Sequence, residues 1–204
     1  MTIRVFHSPA SPFVRKVMVA AAERGVAVQP LPASALPTKR DPTVVRHNAT
    51  GKIPCLLLDD DTPIFDSRVI TAYLDSIGSK GPSIYPQDDR RFAVLTVEAL
   101  ADAICDAAVL LRYETFLRPA EMQWEPWVHG QQDKINSGLG DLEGRWFDTL
   151  SEGFTAAAIA TACALGYLDF RLPDRDWRGG HPKLAKWFTA ISARPSLQST
   201  VPSA

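Results

Sequence analysis

A chain of 204 residues with 46% hydrophobic and 22% charged side chains has ordinary globular composition and can bury a core in one large domain or two small ones. Its net charge is −1 and it has no basic block, so it lacks the electrostatic footprint of a nucleic-acid or acidic-membrane binder; a small molecule or a protein is the expected partner. No run approaches membrane-spanning length, and the first residues lack the apolar core and cleavage site of a secretory signal, so the expected location is the cytoplasm.

In chain order, residues 3–7 read as a first strand, broken by Ser8-Pro9-Ala10-Ser11-Pro12. Residues 13–24 then place Val14, Val17, Met18 and Ala21 at helical spacing, with Ser11 as N-cap, Pro12 at the first helical position and Gly25 closing the helix. The ordinary role of Ser11 is that cap. A sharper reading has its Oγ and the helix N-terminus facing a bound anion. If the anion is a thiolate, lowering a thiol pKa by about two units takes about 2.7 kcal/mol. One charge-assisted hydrogen bond supplies about 1.5 to 3 kcal/mol and a dipole end about 0.3 to 1, so the magnitudes match. No Gly-x-Ser-x-Gly elbow surrounds Ser11, which disfavours a serine hydrolase.

Residues 26–31 read as a second strand. The prolines at 32, 37 and 42 make the next segment irregular, with one helical turn near 43–47; Lys39, Arg40 and Arg46 there read more often as a solvated face than as cations that meet a ligand carboxylate. Gly51-Lys52-Ile53-Pro54-Cys55-Leu56-Leu57-Leu58 and Thr62-Pro63-Ile64-Phe65, joined by Asp59-Asp60-Asp61, read as an antiparallel hairpin. Proline holds the residue before it extended and removes a ladder donor. Ile53 is therefore expected at a sheet edge with its own N–H and C=O free to pair with an extended peptide. Asp66-Ser67 opens a helix over residues 68–77. It reads either as a plain N-cap or as a site where the helix N-terminus takes a carboxylate and Asp66 an ammonium, the two charges of an amino-acid head group.

Gly78-Ser79-Lys80-Gly81-Pro82-Ser83-Ile84-Tyr85-Pro86 is the clearest break in composition and the expected linker. Beyond it every signal is helical. One helix is expected to begin at Asp88-Asp89, and a second to run over 124–150, broken near Gly138 and Gly140. Residues 155–170 are apolar on all sides and should be the buried centre of the helical half, and a last helix starts at His181-Pro182 and ends by Arg194-Pro195. The five tryptophans all fall in this half and read mostly as packing. Cys55, Cys105 and Cys163 are far apart among apolar neighbours and read as buried thiols of a reducing compartment. The four histidines show no metal-ligand spacing, so no metal is expected.

Ser11-Pro12-Phe13-Val14-Arg15-Lys16-Val17, Asn48-Ala49-Thr50-Gly51-Lys52-Ile53-Pro54, Phe65-Asp66-Ser67, Ala164-Leu165-Gly166-Tyr167-Leu168-Asp169-Phe170-Arg171 and Ala193-Arg194-Pro195-Ser196 occur in this order. Together they resemble the cytosolic glutathione S-transferase family, in its bacterial serine-type form. The resemblance implies an α/β plus all-α chain: a thioredoxin-like, glutathione-binding N-terminal domain (1–78), a linker (79–87) and an all-helical C-terminal domain (88–204), usually in a homodimer.

It further implies that Pro54 is cis and that Ile53 pairs with the cysteinyl backbone of glutathione. Asp66 and Ser67 would take the γ-glutamyl group, and Ser11 would stabilise the thiolate. Phe13, Lys52 and Pro54 complete the implied glutathione site; Ala10, Asp106 and Tyr113 are implied walls for a small hydrophobic electrophile. The turn before the first helix has no cysteine, which disfavours disulfide exchange through a protein thiol. Peroxide reduction, dehalogenation or isomerisation on the same fold, or a non-catalytic interaction role, are the alternatives. Two residues depart from the family pattern. Ala158 stands where the Ser/Thr-x-x-Asp capping box beginning at Thr155 needs Asp, a loss worth on the order of 1 kcal/mol at that helix start. Ala49 stands where proline is common.

Overall fold

The computed structural model describes residues 3–203, which form two compact units. The first comprises residues 3–85 together with 194–203; the second spans 86–193.

In the first unit, β1 (Ile3–His7) leads into α1 (Pro12–Arg24), followed by β2 (Val28–Pro32), α2 (Pro42–His47), β3 (Leu56–Leu57), β4 (Pro63–Ile64) and α3 (Ser67–Ile77). The sheet order is β2-β1-β3-β4. β1 runs parallel to β2, with Ile3 opposite Val28, and antiparallel to β3, with Val5 opposite Leu56. β3 and β4 are the expected hairpin, with Leu56 opposite Ile64. They are two residues each because Pro54 lies just before β3, Pro63 opens β4 and the Asp59-Asp60-Asp61 turn intervenes, Asp61 taking positive φ. Ile3, Val5 and Leu56 pack against Val17 and Ala21 of α1 and Ile70 and Leu74 of α3. Phe6 and Leu57, next along their strands and so on the opposite face, pack with Val44 of α2 and with Ile53 and Cys55.

The second strand begins at Val28 instead of Val26, because the Val26 N–H bonds the Ala21 carbonyl as part of the C-terminal cap that Gly25 makes in the left-handed region. The expected linker is also tied down. Arg24, buried at the end of α1, donates to the carbonyls of Asp75, Gly78, Lys80, Gly81 and Pro82, and its Nε lies 2.8 Å from Asp75 Oδ1. Asp75 also accepts from Ser83 and from the Ile84 N–H, and Thr71 meets the Tyr85 hydroxyl at 2.6 Å. At the other end of the chain, α10 (Pro195–Gln198) packs on α1. There Glu23 accepts from Arg194 and Ser196, and Arg15 donates to the Leu197 carbonyl. Residues 194–203, counted with the helical half in the sequence reading, are thus part of the first unit.

The second unit holds α4 (Arg91–Phe116), a 3-10 turn (Ala120–Met122), α5 (Glu125–Glu143), α6 (Phe147–Ser151), α7 (Ala156–Arg171), α8 (Trp177–Gly180) and α9 (Pro182–Ile191); among the described residues it has no strand. α7 is buried on every side from Ala156 to Leu168, as its composition implies, and packs chiefly on α4. The break expected near Gly138 and Gly140 is absent: α5 runs through both and stops at Gly144. Gly138 is there for packing. A Cβ on it would stand 2.7 Å from Ile104 Cγ1, so its hydrogen lets α5 lie close to α4. α4 starts at Arg91, after the expected Asp88-Asp89, and the two Glu143 oxygens cap α9 through the Lys183 and Leu184 N–H groups. Trp177 is buried, but Trp124 is 63% exposed, so packing does not account for every tryptophan. Among the described residues no helix is long and apolar enough to cross a membrane.

Candidate functional site

The sheet register brings three of the sequence-predicted pieces to one end of the first unit. Because β3 is antiparallel to both β1 and β4, the C-terminal ends of β1 and β4 lie beside the N-terminal end of β3; the Phe6 N–H donates to the Cys55 carbonyl at 2.9 Å. From that end emerge the Ser8–Ser11 turn into α1, the Ile53-Pro54 pair that enters β3, and the Asp66-Ser67 start of α3.

Ser11 is the N-cap of α1, and its Oγ accepts from the Val14 N–H at 3.3 Å. A hydroxyl that accepts in this way keeps its hydrogen to donate, and among the described residues the Ser11 O–H has no acceptor. It is half-buried at the positive end of a 13-residue helix. His7, at the end of β1, makes no hydrogen bond to Ser11, and burial holds its pKa below the ordinary value, so it is neutral near pH 7. Phe13 and Ala10, on either side of Ser11, are half-buried.

The Ile53–Pro54 peptide is cis, and the N–H and C=O of Ile53 have no partner among the described residues, as expected for an extended residue at a sheet edge. Its side chain is anchored in the core at 8% exposure, so the backbone is held while its polar groups stay available. Lys52 is exposed. Asp66 caps α3, its Oδ1 accepting from the Arg68 N–H at 3.0 Å, and it is exposed; Ser67 is buried. The Phe65–Asp66 peptide is also cis.

Two residues that hold this end in shape carry other readings in the sequence, Arg40 as part of a solvated face and Asn48 only as the start of the Asn48–Pro54 stretch. The buried Asn48 donates to the Lys52 carbonyl at 2.9 Å and accepts from the Thr50 N–H and hydroxyl, and Arg40 donates to the Ala49 carbonyl. Together they fix the loop that ends at Ile53. The Asn-x-Thr spacing before Gly51, which has positive φ, was a readable turn signal for Asn48. For Arg40 no local signal exists, because its partner lies nine residues away across an irregular segment.

Asp106 and Tyr113 lie in the second unit, seven residues apart on α4 and so on one face of that helix. Asp106 is exposed; Tyr113 is half-buried, and burial raises its pKa against an opposing effect of Arg171. Among the described residues no group of three or more His, Cys, Asp or Glu side chains is arranged to hold a metal ion.

Comparison with known proteins bears on these elements. Residues 10–77 match the glutathione S-transferase N-terminal domain family, and residues 125–190 match the glutathione S-transferase C-terminal domain family. The chain belongs to the glutathione S-transferase family. It is 35% identical over 203 residues to an uncharacterized GST-like protein, YibF, of Escherichia coli K12, covering 98% of both chains. A glutathione transferase family member from Pseudomonas fluorescens Pf-5, solved with bound glutathione, superposes with a TM-score of 0.93 at 48% identity over all of both chains. A glutathione S-transferase from Methylobacillus flagellatus, solved with glutathione bound, gives a TM-score of 0.90 at 36% identity over 99% of this chain and 100% of that one. The fold is that of the family: a small four-stranded mixed sheet with helices, then a helical unit. The first match begins at the turn that carries Ser11 and ends with α3, so it contains all three pieces of the candidate site.

Proposed function

We propose that this protein is a glutathione transferase that joins the sulfur of glutathione to a small apolar electrophile, with Ser11 stabilising the thiolate. The observation that carries the reading is the uncommitted Ser11 hydroxyl hydrogen at the start of α1, at the same end of the sheet as the unpaired backbone of Ile53 and the start of α3. Related structures hold glutathione.

Ile53 pairs through its N–H and C=O with the extended cysteinyl residue, adding a short strand to the sheet edge, and Pro54 fixes the geometry. Asp66 takes the γ-glutamyl ammonium, while the N–H groups of the first turn of α3 and the Ser67 hydroxyl take its carboxylate. Lys52 supplies a cation for a second carboxylate, and Phe13 flanks the sulfur. The thiol proton leaves to solvent, and the Ser11 hydroxyl and helix dipole hold the resulting thiolate. The sulfur lone pair then forms a bond to the electrophilic carbon as the leaving group departs with its bonding pair. Ala10, beside Ser11, walls the electrophile. The three cysteines are free and buried, which suits a reducing cytoplasmic setting. Phe65, Val69 and Ile77 leave apolar surface exposed that a second copy of the chain would cover in a homodimer.

The test is turnover of a neutral model aryl halide with Ser11→Ala against the parent, beside direct measurement of glutathione binding. Losing about two units of pKa depression drops the ionised fraction at pH 7 from about three-quarters to a few per cent. The expected result is therefore a loss of at least about tenfold in kcat/KM with glutathione binding retained. Unchanged turnover would remove Ser11 from the mechanism, and a folded parent that fails to bind glutathione would remove the whole reading.

A further inference from the structure

Asn48 engages all of its polar atoms. At the end of α2 its N–H donates to the Val44 carbonyl at 2.8 Å, and its own carbonyl accepts from the Gly51 N–H at 2.8 Å. Its Oδ1 accepts from the Thr50 N–H at 3.1 Å and from the Thr50 hydroxyl at 2.8 Å, and its Nδ2 donates to the Lys52 carbonyl at 2.9 Å. The ordinary role of such an asparagine is to close a turn after a helix, with Gly51 at φ 69° taking the left-handed position. The contacts with Thr50 and Gly51 do that. The bond to Lys52 reaches past the turn, to the peptide that carries the Ile53 N–H.

That peptide is planar and trans, so its carbonyl and its N–H point in opposite directions. Asn48 is 2% exposed, and by holding the Lys52 oxygen it turns the Ile53 N–H away from the buried turn; that N–H has no partner among the described residues. A carbonyl that accepts a hydrogen bond also polarises its own peptide and makes the N–H at the other end a better donor. The Ile53 side chain steadies the same peptide from its other side, packing in one core cluster with Val44, the residue whose carbonyl Asn48 bonds. Aspartate at position 48 would keep the Thr50 contacts but set an oxygen against the Lys52 carbonyl, so a carboxamide is the group that serves both ends.

We propose that Asn48 is a positioning residue of the glutathione site, acting through the Lys52 carbonyl to set the Ile53 N–H as a fixed and strengthened donor to the cysteinyl carbonyl. The role rests on the glutathione reading and adds a specificity to it: the site selects thiols whose cysteine is peptide-linked over a γ-glutamyl thiol that lacks the cysteinyl carbonyl. Asn48 itself touches no ligand atom in this arrangement and carries no step of the chemistry.

The experiment is calorimetric titration of the full chain with glutathione and with γ-glutamylcysteamine, which keeps the γ-glutamyl group and the thiol and has no cysteinyl carbonyl. The parent, Asn48→Ala, Asn48→Asp and Thr50→Val are compared, with thermal unfolding as the check on folding. Asn48→Ala and Asn48→Asp are expected to weaken glutathione binding by about fivefold, the worth of one hydrogen bond, and to leave γ-glutamylcysteamine binding unchanged. Thr50→Val alters the same turn without touching Lys52 and should change neither. An equal loss for both ligands overturns the proposal, because a merely loosened site weakens both, and so does unchanged glutathione binding in a folded Asn48→Ala. A folded parent that binds neither ligand removes the glutathione reading itself and this role with it. If the Asn48 variants do not fold, the isotope-labelled parent decides. Its Ile53 amide proton should move downfield with glutathione and not with γ-glutamylcysteamine, and a resonance indifferent to the choice of ligand overturns the proposal.

Discussion

Two glycines in one helix, two residues apart, should respond differently to the same substitution. Gly138 and Gly140 both lie inside α5. A Cβ added to Gly140 meets nothing within 4 Å, so Gly140→Ala keeps only the gain in helix propensity, about 1 kcal/mol. A Cβ added to Gly138 stands 2.7 Å from Ile104 Cγ1 and 2.9 Å from its Cδ1. Ile104 is 1% exposed and β-branched, so it cannot swing aside without disturbing the α4–α5 contact. Overpacking of that kind costs about 1 to 3 kcal/mol, which cancels or exceeds the same propensity gain. The two variants should therefore differ by about 1 to 3 kcal/mol, and each kcal/mol moves Tm by roughly 2–4 °C in a chain of this size. Thermal and urea unfolding of both variants, and of Gly138→Ala in an Ile104→Ala background where the penalty should vanish, measure this directly. If Gly138→Ala stabilises as much as Gly140→Ala, the close approach of α5 to α4 is wrong and the sequence expectation of a weak point there regains its force.

Two further outcomes follow from the polar contacts. Burial alone would raise the Glu23 pKa, but hydrogen bonds from Arg194 and Ser196 outweigh it and leave the carboxyl below its ordinary value. The docking of residues 194–203 should therefore contribute its full stability above about pH 5 and lose it as pH falls through the depressed folded pKa, where the unfolded chain binds the extra proton. The stability gap between the parent and Glu23→Gln should shrink across that interval; a gap independent of pH counts against the assignment. At the start of α7, Thr155 makes no side-chain cap and its Oγ1 is buried without a partner among the described residues. Thr155→Val should hence be neutral or slightly stabilising in urea unfolding, in contrast to the loss of about 1 kcal/mol expected of a working cap.

What was legible in the sequence was what local chemistry decides. Ser11-Pro12 and Gly25 bound α1, Asp66 opens α3, and the alanine-rich run of α7 shows its burial on all sides because no polar face interrupts it. What stayed hidden depends on partners distant along the chain. Gly138 reads as a helix breaker until Ile104 is seen against it. Arg24 reads as a last-turn cation until five carbonyls from residues 75–82 are found around its guanidinium. The docking of residues 194–203 on the first unit stayed hidden for the same reason: nothing within them indicates that Arg194 and Ser196 reach back to Glu23.

The candidate site shows why a cap and a binding group look alike in sequence. Ser11 spends a lone pair on the Val14 N–H and keeps its hydrogen, and Asp66 spends one oxygen on the Arg68 N–H and keeps the other at an exposed position. Capping orients each side chain and does not exhaust it, so the residue types that serve one role serve the other, and only the sheet register distinguishes them. β3 running against both β1 and β4 is what carries three separate helix and strand starts to one end. Had β3 paired in parallel with β1, Ile53 would lie at the far end of the sheet from Ser11. The same local signals would then have been caps and a strand start with no common ligand.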